Sequence, residues 1–217
     1  MDLLLNDREV RVLGSLIEKE ITTPDYYPLS LNALTNACNQ KSNRYPVMAL
    51  DEDAVRDALN TLSQKWLAGP ASSTESRVTK YAHRVQEVFN FDRRETAVLC
   101  ELMLRGSQTL GELRSHGERM YRFEDLETLE AALQRLAERQ PPLVKRLPRL
   151  PGTKEPRYAH LLAGDNPEWA AIPERTMDVE TQLPDDRIPR LEAKVTELEQ
   201  QLNDLRRQFT EFKQQFE

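Results

Sequence analysis

The sequence predicts an α+β protein, mainly α with small β-hairpins, and three observations predict it. Two stretches of about eighty residues repeat the same apolar spacings in the same order. Each stretch closes on two short strand patterns around a turn, and residues 187–217 carry an unbroken heptad pattern.

In the first copy Val10, Leu13, Ile17 and Ile21 recur at helical spacing, with Asn6 or Asp7 placed to cap the helix. In the second copy Glu95, Val98, Leu99 and Leu102 repeat the spacing of Glu9, Val12, Leu13 and Leu16, and Asp92 is the cap. Short second helices start at Leu31 behind Ser30 and at Leu110 behind Thr109. Third helices come next, with Val55, Ala58, Leu59 and Leu62 matching Leu129, Ala132, Leu133 and Leu136. Acidic residues fill the first turn of each, where the helix dipole favours them.

After each third helix comes a short apolar segment, a turn-rich insert and a strand, Tyr81-Ala82-His83 or Tyr158-Ala159-His160. Helix, helix, helix, hairpin is the winged-helix order, so two such domains in tandem are expected over residues 1–86 and 91–162. Alternation along the strand sends Tyr81 and His83 to one face, and a tyrosine packed on the third helix accounts for the repeated tripeptide without a catalytic pair. "VQEVFNF" is a brief connection, which fixes the two copies close together. Residues 163–186 lack a sustained period and read as a linker.

From there Ile188, Leu191, Val195, Leu198, Leu202, Leu205, Phe209, Phe212 and Phe216 alternate spacings of three and four. That is a coiled-coil helix of about 43 Å. A stripe this narrow wants a partner helix, so a homodimer is expected; docking of the helix onto its own domains is the alternative.

The formal net charge is −6. Lys and Arg number 10 against 12 Asp and Glu in residues 1–90, 13 against 11 in 91–163 and 7 against 13 in 164–217. Only the middle part is basic, so the chain as a whole lacks the electrostatic footprint of a nucleic-acid binder. No apolar run approaches the length of a membrane span, and Cys38 and Cys100 stand alone, which fits a cytoplasmic protein in a reducing compartment. The three histidines lack metal-ligand spacing and no glycine-rich phosphate loop occurs. No enzyme, no cofactor and no metal are therefore expected.

Both third helices expose acidic faces at their leading ends, Glu52, Asp53 and Asp57 in one and Glu127 and Glu130 in the other, which phosphates would repel. Two places favour nucleic acid instead. The second hairpin offers a basic wing of Lys145, Arg146, Arg149, Lys154 and Arg157, which Arg105, Arg114, Arg119 and Arg122 would extend; a solvated hairpin edge is the plainer reading. The segment between the second and third helices crowds Asn36, Asn39, Gln40, Lys41, Asn43 and Arg44 together, either to satisfy its own backbone or to present a recognition surface.

The strings "EKEITTPDYYPLSLNALTNACNQKSNRYPVM", "LMLRGSQTLGELRSHGERMYRF" and "RLPRLPGTKEPRYAHL" resemble the YceH family of uncharacterised bacterial proteins. The resemblance runs in order over residues 8–162. It implies a cytoplasmic bacterial protein of tandem winged-helix domains, supplies no catalytic residue, and adds weight to the Asn36 to Arg44 segment as a recognition surface. The expected function is a non-enzymatic interaction or assembly module working through protein contacts in a DNA-associated process. The alternative is a DNA-binding transcriptional regulator that uses the basic wing and the Asn36 to Arg44 loop.

Overall fold

Helix caps set the element boundaries. In the computed structural model, which describes residues 4–71, 78–149 and 155–165, α1 (Asp7–Thr22) begins at a reciprocal capping box. Asn6 accepts from the Glu9 N–H, and the Glu9 carboxylate accepts from the Asn6 N–H. The helix stops at Thr23, before a short 3₁₀ turn opened by Pro24, whose ring cannot continue it. Then come β1 (Leu29–Ser30), α2 (Leu31–Cys38) capped by Ser30, α3 (Glu52–Gln64) capped by Asp51, β2 (Ala68–Ala71) and β3 (Lys80–His83).

The connection between the copies contains a helix of its own, α4 (Val85–Phe89), where the sequence suggested only a brief link. Val85 is buried and Phe89 stacks on Phe91, so these apolar side chains have a place to go. The second copy then supplies α5 (Arg93–Arg105), α6 (Leu110–Gly117), α7 (Leu126–Glu138), β4 (Val144–Arg146) and β5 (Tyr158–His160). The Asp92 and Thr109 caps both form boxes, with Glu95 and Glu112, and Gly106 ends α5 at φ +77°.

The described residues thus form an α+β fold of seven α-helices and two small antiparallel sheets. One sheet has the order β1-β3-β2, with Leu29 opposite Tyr81 and Pro70 opposite Tyr81 from the other side. In the other, β4 pairs with β5, and an isolated bridge from Gln108 to Tyr158 stands where β1 pairs with β3 in the first copy.

The duplication extends to side chains. Lys65, after α3, reaches back to Glu9 and to the Leu4 carbonyl; Arg139, after α7, reaches back to Glu95 and to the Phe89 carbonyl. Both copies belong to one compact unit with a shared apolar cluster. At its centre α1 and α5 pack together, each buried over ten consecutive residues, Glu9 to Glu18 and Glu95 to Leu104. Gly14 permits the approach: a Cβ there would lie 3.0 Å from Leu104 Cδ2 and 3.3 Å from Met103 Cβ. The Cys100 thiol donates to the Gly14 carbonyl at 3.3 Å, so equivalent positions of the two copies meet.

Candidate functional site

Burying α1 and α5 on all sides carries their charged residues inside as well. Glu18 and Glu101 are both fully buried. Arg44 forks onto both oxygens of Glu18, and Arg119 bridges Glu18 and Glu101, its Nη2 3.1 Å from Glu101 Oε2. Arg105 Nε lies 3.0 Å from Glu101 Oε1 without hydrogen-bond alignment, while its Nη2 donates to Asn43 Oδ1 at 2.8 Å. The line Arg44, Glu18, Arg119, Glu101, Arg105 crosses the junction of the copies and returns to the loop it started from.

Four arginines stand here against two glutamates, because Arg11 is buried beside them. The end of α2 accommodates the excess. Arg11 donates to the carbonyls of Cys38 and Pro46, and Arg44 to those of Ala37 and Asn43. Ala37 and Cys38 are the last residues of α2, where unsatisfied carbonyls and the dipole place partial negative charge. Burial and the neighbouring Arg44 lower Arg11 to about 10. Burial would raise Glu18, but Arg44 and Arg119 outweigh it and hold the carboxyl below its usual range. At Glu101 burial prevails over Arg119 and Arg105, and the carboxyl is raised.

The Asn36 to Arg44 segment is therefore largely turned inward. Asn39 makes two hydrogen bonds with the backbone of Leu50, Gln40 accepts from Arg44, and Asn43, at φ +57°, accepts from Arg105. Arg44, expected on a recognition surface, is 5% exposed, since the buried Glu18 carboxylate and the α2 carbonyls draw its guanidinium in. Asn36 and Lys41 remain at the surface. Arg105 and Arg119, expected to extend the basic wing, are likewise committed to the buried carboxylates.

Of the wing itself, Arg157 binds Glu112 and the Ser107 carbonyl, and Lys145 binds Asp165. Arg146 and Arg149 are exposed on the hairpin. Lys154 and the whole heptad series from Ile188 to Phe216 lie outside the described residues. The exposed face of α3 presents Glu52, Asp53, Arg56, Asp57 and Asn60, with Arg56 paired to Asp53, and that of α7 presents Glu127, Glu130, Gln134, Arg135 and Glu138, with Arg135 paired to Asp92.

The two strand histidines are packed into their own sheets. His83 Nε2 lies 2.8 Å from Glu20 Oε2, and the His83 backbone N–H donates to the Tyr27 hydroxyl at 2.8 Å. Burial lowers His160 to about 4. Both cysteines are buried free thiols; burial pushes Cys38 up to about 11 and Cys100 well above its usual value, the reverse of what a nucleophile needs. Among the described residues no group of three or more His, Cys, Asp or Glu could hold a metal ion, and no helix is long and apolar enough to cross a membrane. A surface hollow of about 290 Å³ on α6 is lined by Arg114, Ser115, Glu118 and Arg122. Arg122 pairs with Glu118 and Arg114 donates to the Glu124 carbonyl, so its cations are compensated.

Sequence reasoning passed over Glu18, Glu101 and Arg11. The available signal was their place in the middle of helices whose caps and apolar repeats were already clear.

Fold and site define a duplicated α+β protein whose copies are joined through a buried ionic junction. The chain belongs to the family described as "Protein of unknown function, DUF480", which matches residues 5–153. It is similar to a UPF0502 protein of Koribacter versatilis, 56% identical over 200 residues and 91% of each chain. A UPF0502 protein of Geobacter sulfurreducens is 54% identical over 198 residues and 90% of each chain. One of Geotalea daltonii is 60% identical over 171 residues, 79% of this chain and 78% of its own.

Proposed function

We propose that the protein is a non-enzymatic assembly module of two winged-helix units in tandem, acting in the cytoplasm through protein contacts in a DNA-associated process. In this reading residues 187–217 pair two copies as a coiled coil, and the exposed faces of α3 and α7 meet a partner. One observation carries it: the faces that a groove-reading helix would lay on DNA are acidic, while the nearby Arg44, Arg105 and Arg119 are spent inside the fold. The partner's complementary surface is basic.

The test is a fluorescence-anisotropy titration of the full chain with random-sequence duplex DNA at low and physiological salt, beside cross-linking in cells of the native chain and of Glu52→Gln/Asp53→Asn/Asp57→Asn. Loss of a specific cross-linked protein on neutralising the α3 face is expected, with no salt-steep DNA binding. Tight duplex binding that survives physiological salt and falls in Arg146→Ala/Arg149→Ala would replace this reading with that of a DNA-binding regulator using the exposed wing arginines.

A further inference from the structure

The ionic junction is not electrically balanced. Lys19 on α1 and Arg105 on α5 hold equivalent positions, since each follows by the same interval the Gly14 and Cys100 pair that meets at the helix crossing. Each stands over a carboxylate: the Lys19 ammonium lies 3.9 Å from Glu18 and Arg105 Nε 3.0 Å from Glu101, with Arg119 bridging the two acids. Both carboxylates are 0% exposed, whereas the side chains of Lys19, Arg105 and Arg119 keep 18%, 20% and 26% of their surface in water. Solvent therefore meets the outer edges of three cations, and the balancing charge is hidden beneath them.

Lys19 is the member left over. The Glu18 oxygens are already taken, Oε1 by Arg44 and Arg119 and Oε2 by Arg44. At 3.9 Å the ammonium is beyond hydrogen-bond reach, and it has no other acceptor among the described residues. Burial lowers it, and Arg44 and Arg119 add to that effect against Glu18. A mostly buried ammonium without an acceptor is costly unless something outside the fold completes it. With Arg11 and Arg44 included, five cations face two carboxylates. Lys19 and Arg105 lie in the last turns of α1 and α5, and Ala37 and Cys38 end α2. Three helix ends offset about half a charge each, which leaves a surplus of about one and a half positive charges.

We infer that the rim of Lys19, Arg119 and Arg105 is a binding site for a small oxyanion, the phosphoryl group of a small ligand, received by the Lys19 ammonium and the outer edge of the Arg119 guanidinium. A phosphoryl group carries about the charge that is missing and offers several oxygens to guanidinium and ammonium donors at once. The site goes beyond the proposed function and does not depend on it. Bound there, the anion ties the ends of α1 and α5 to the segment after α6 and stabilises the junction by mass action.

The experiment is a titration of the full isotope-labelled chain with inorganic phosphate, sodium chloride being lowered in step to hold ionic strength constant. Saturable shifts are expected at the amides of Lys19, Asn43, Arg105 and Arg119, with those of Arg146 and Arg149 on the wing unmoved, and the melting temperature is expected to rise along the same curve. Lys19→Met removes the ammonium, keeps an apolar stem and leaves Glu18 with Arg44 and Arg119. It is expected to raise the half-saturating phosphate concentration about tenfold, the loss of one charged hydrogen bond; the amide map of the native chain needs no variant. A response that chloride reproduces would reduce the rim to an ordinary counterion surface and overturn the inference. So would shifts confined to the wing, or a Lys19→Met chain that titrates like the native one. Duplex DNA that moves the same rim amides at a lower phosphate concentration would assign the rim to a nucleic-acid backbone, and the small-ligand assignment would fail.

Discussion

Arg44→Ala tests whether the Asn36 to Arg44 loop is clasped inward onto the buried Glu18 of α1. The guanidinium is buried and donates to Glu18, Gln40 and the carbonyls of Ala37 and Asn43. Truncation leaves Glu18 without solvent access and with Arg119 as its remaining guanidinium partner. Removing one member of a buried ion pair costs about 3–5 kcal/mol, and the surviving Arg119 contact favours the lower end, about 3 kcal/mol. In a unit of this size each kcal/mol moves the melting temperature by about 2–4 °C, so a fall of about 6–12 °C is expected. The assay is thermal unfolding for the melting temperature and urea unfolding for the free energy, both followed by circular dichroism at one protein concentration.

The pH dependence gives the same prediction a second handle. Glu18 is held below its ordinary value, so its contribution is present above about 4.5 and is lost as pH falls through the lower folded value. Arg44 is the chief cause of that lowering, so the gap between native chain and variant is expected to narrow in acid. In a Glu18→Gln background, Arg44→Ala is expected to cost less than in the native chain. A loss under about 1 kcal/mol in the native background, independent of pH, would refute a buried clasp and return Arg44 to the surface.

Two further outcomes are expected from buried positions on β5 and α1. Burial lowers His160 to about 4, so its contribution is complete above the unfolded value near 6.5 and is lost as pH falls from there to about 4. His160→Gln is expected to remove about 3 kcal/mol of that pH dependence in urea midpoints taken across the window, and an unchanged slope would place the titration elsewhere. Gly14→Val puts a branched side chain against Leu104 and Met103 and is expected to lower stability by about 1–3 kcal/mol. A neutral result would mean that α1 and α5 separate at no cost.

Local chemistry made much of the fold legible. Asn6, Ser30, Asp92 and Thr109 cap the helices they precede because a cap needs only its own next three residues. The third helices and the two Tyr-Ala-His strands were readable for the same reason. Longer pairings were not. β1 is two residues long and exists by pairing with β3 some fifty residues later. Arg44 meets Glu18 across 26 positions, and Arg119 meets it across 101. Charged residues in a loop are ordinarily solvated, so the loop's composition left open both a self-satisfied turn and an exposed surface, and the distant partners that draw Arg44 inward are not local to it.

The location of those charges has a structural logic. A junction of two like helices through Gly14 and Cys100 offers contacts that resemble one another after a small slide or rotation, because apolar packing is not directional. Guanidinium forks are directional: Arg44 must reach both oxygens of Glu18 and the end of α2, and Arg119 must span two carboxylates on different helices. A slide of one helical residue, about 1.5 Å, would displace the Arg119 to Glu18 and Arg105 to Asn43 contacts that cross the junction. The ionic cluster thus favours the observed register. That keeps the exposed faces of α3 and α7 in a constant relation to one another.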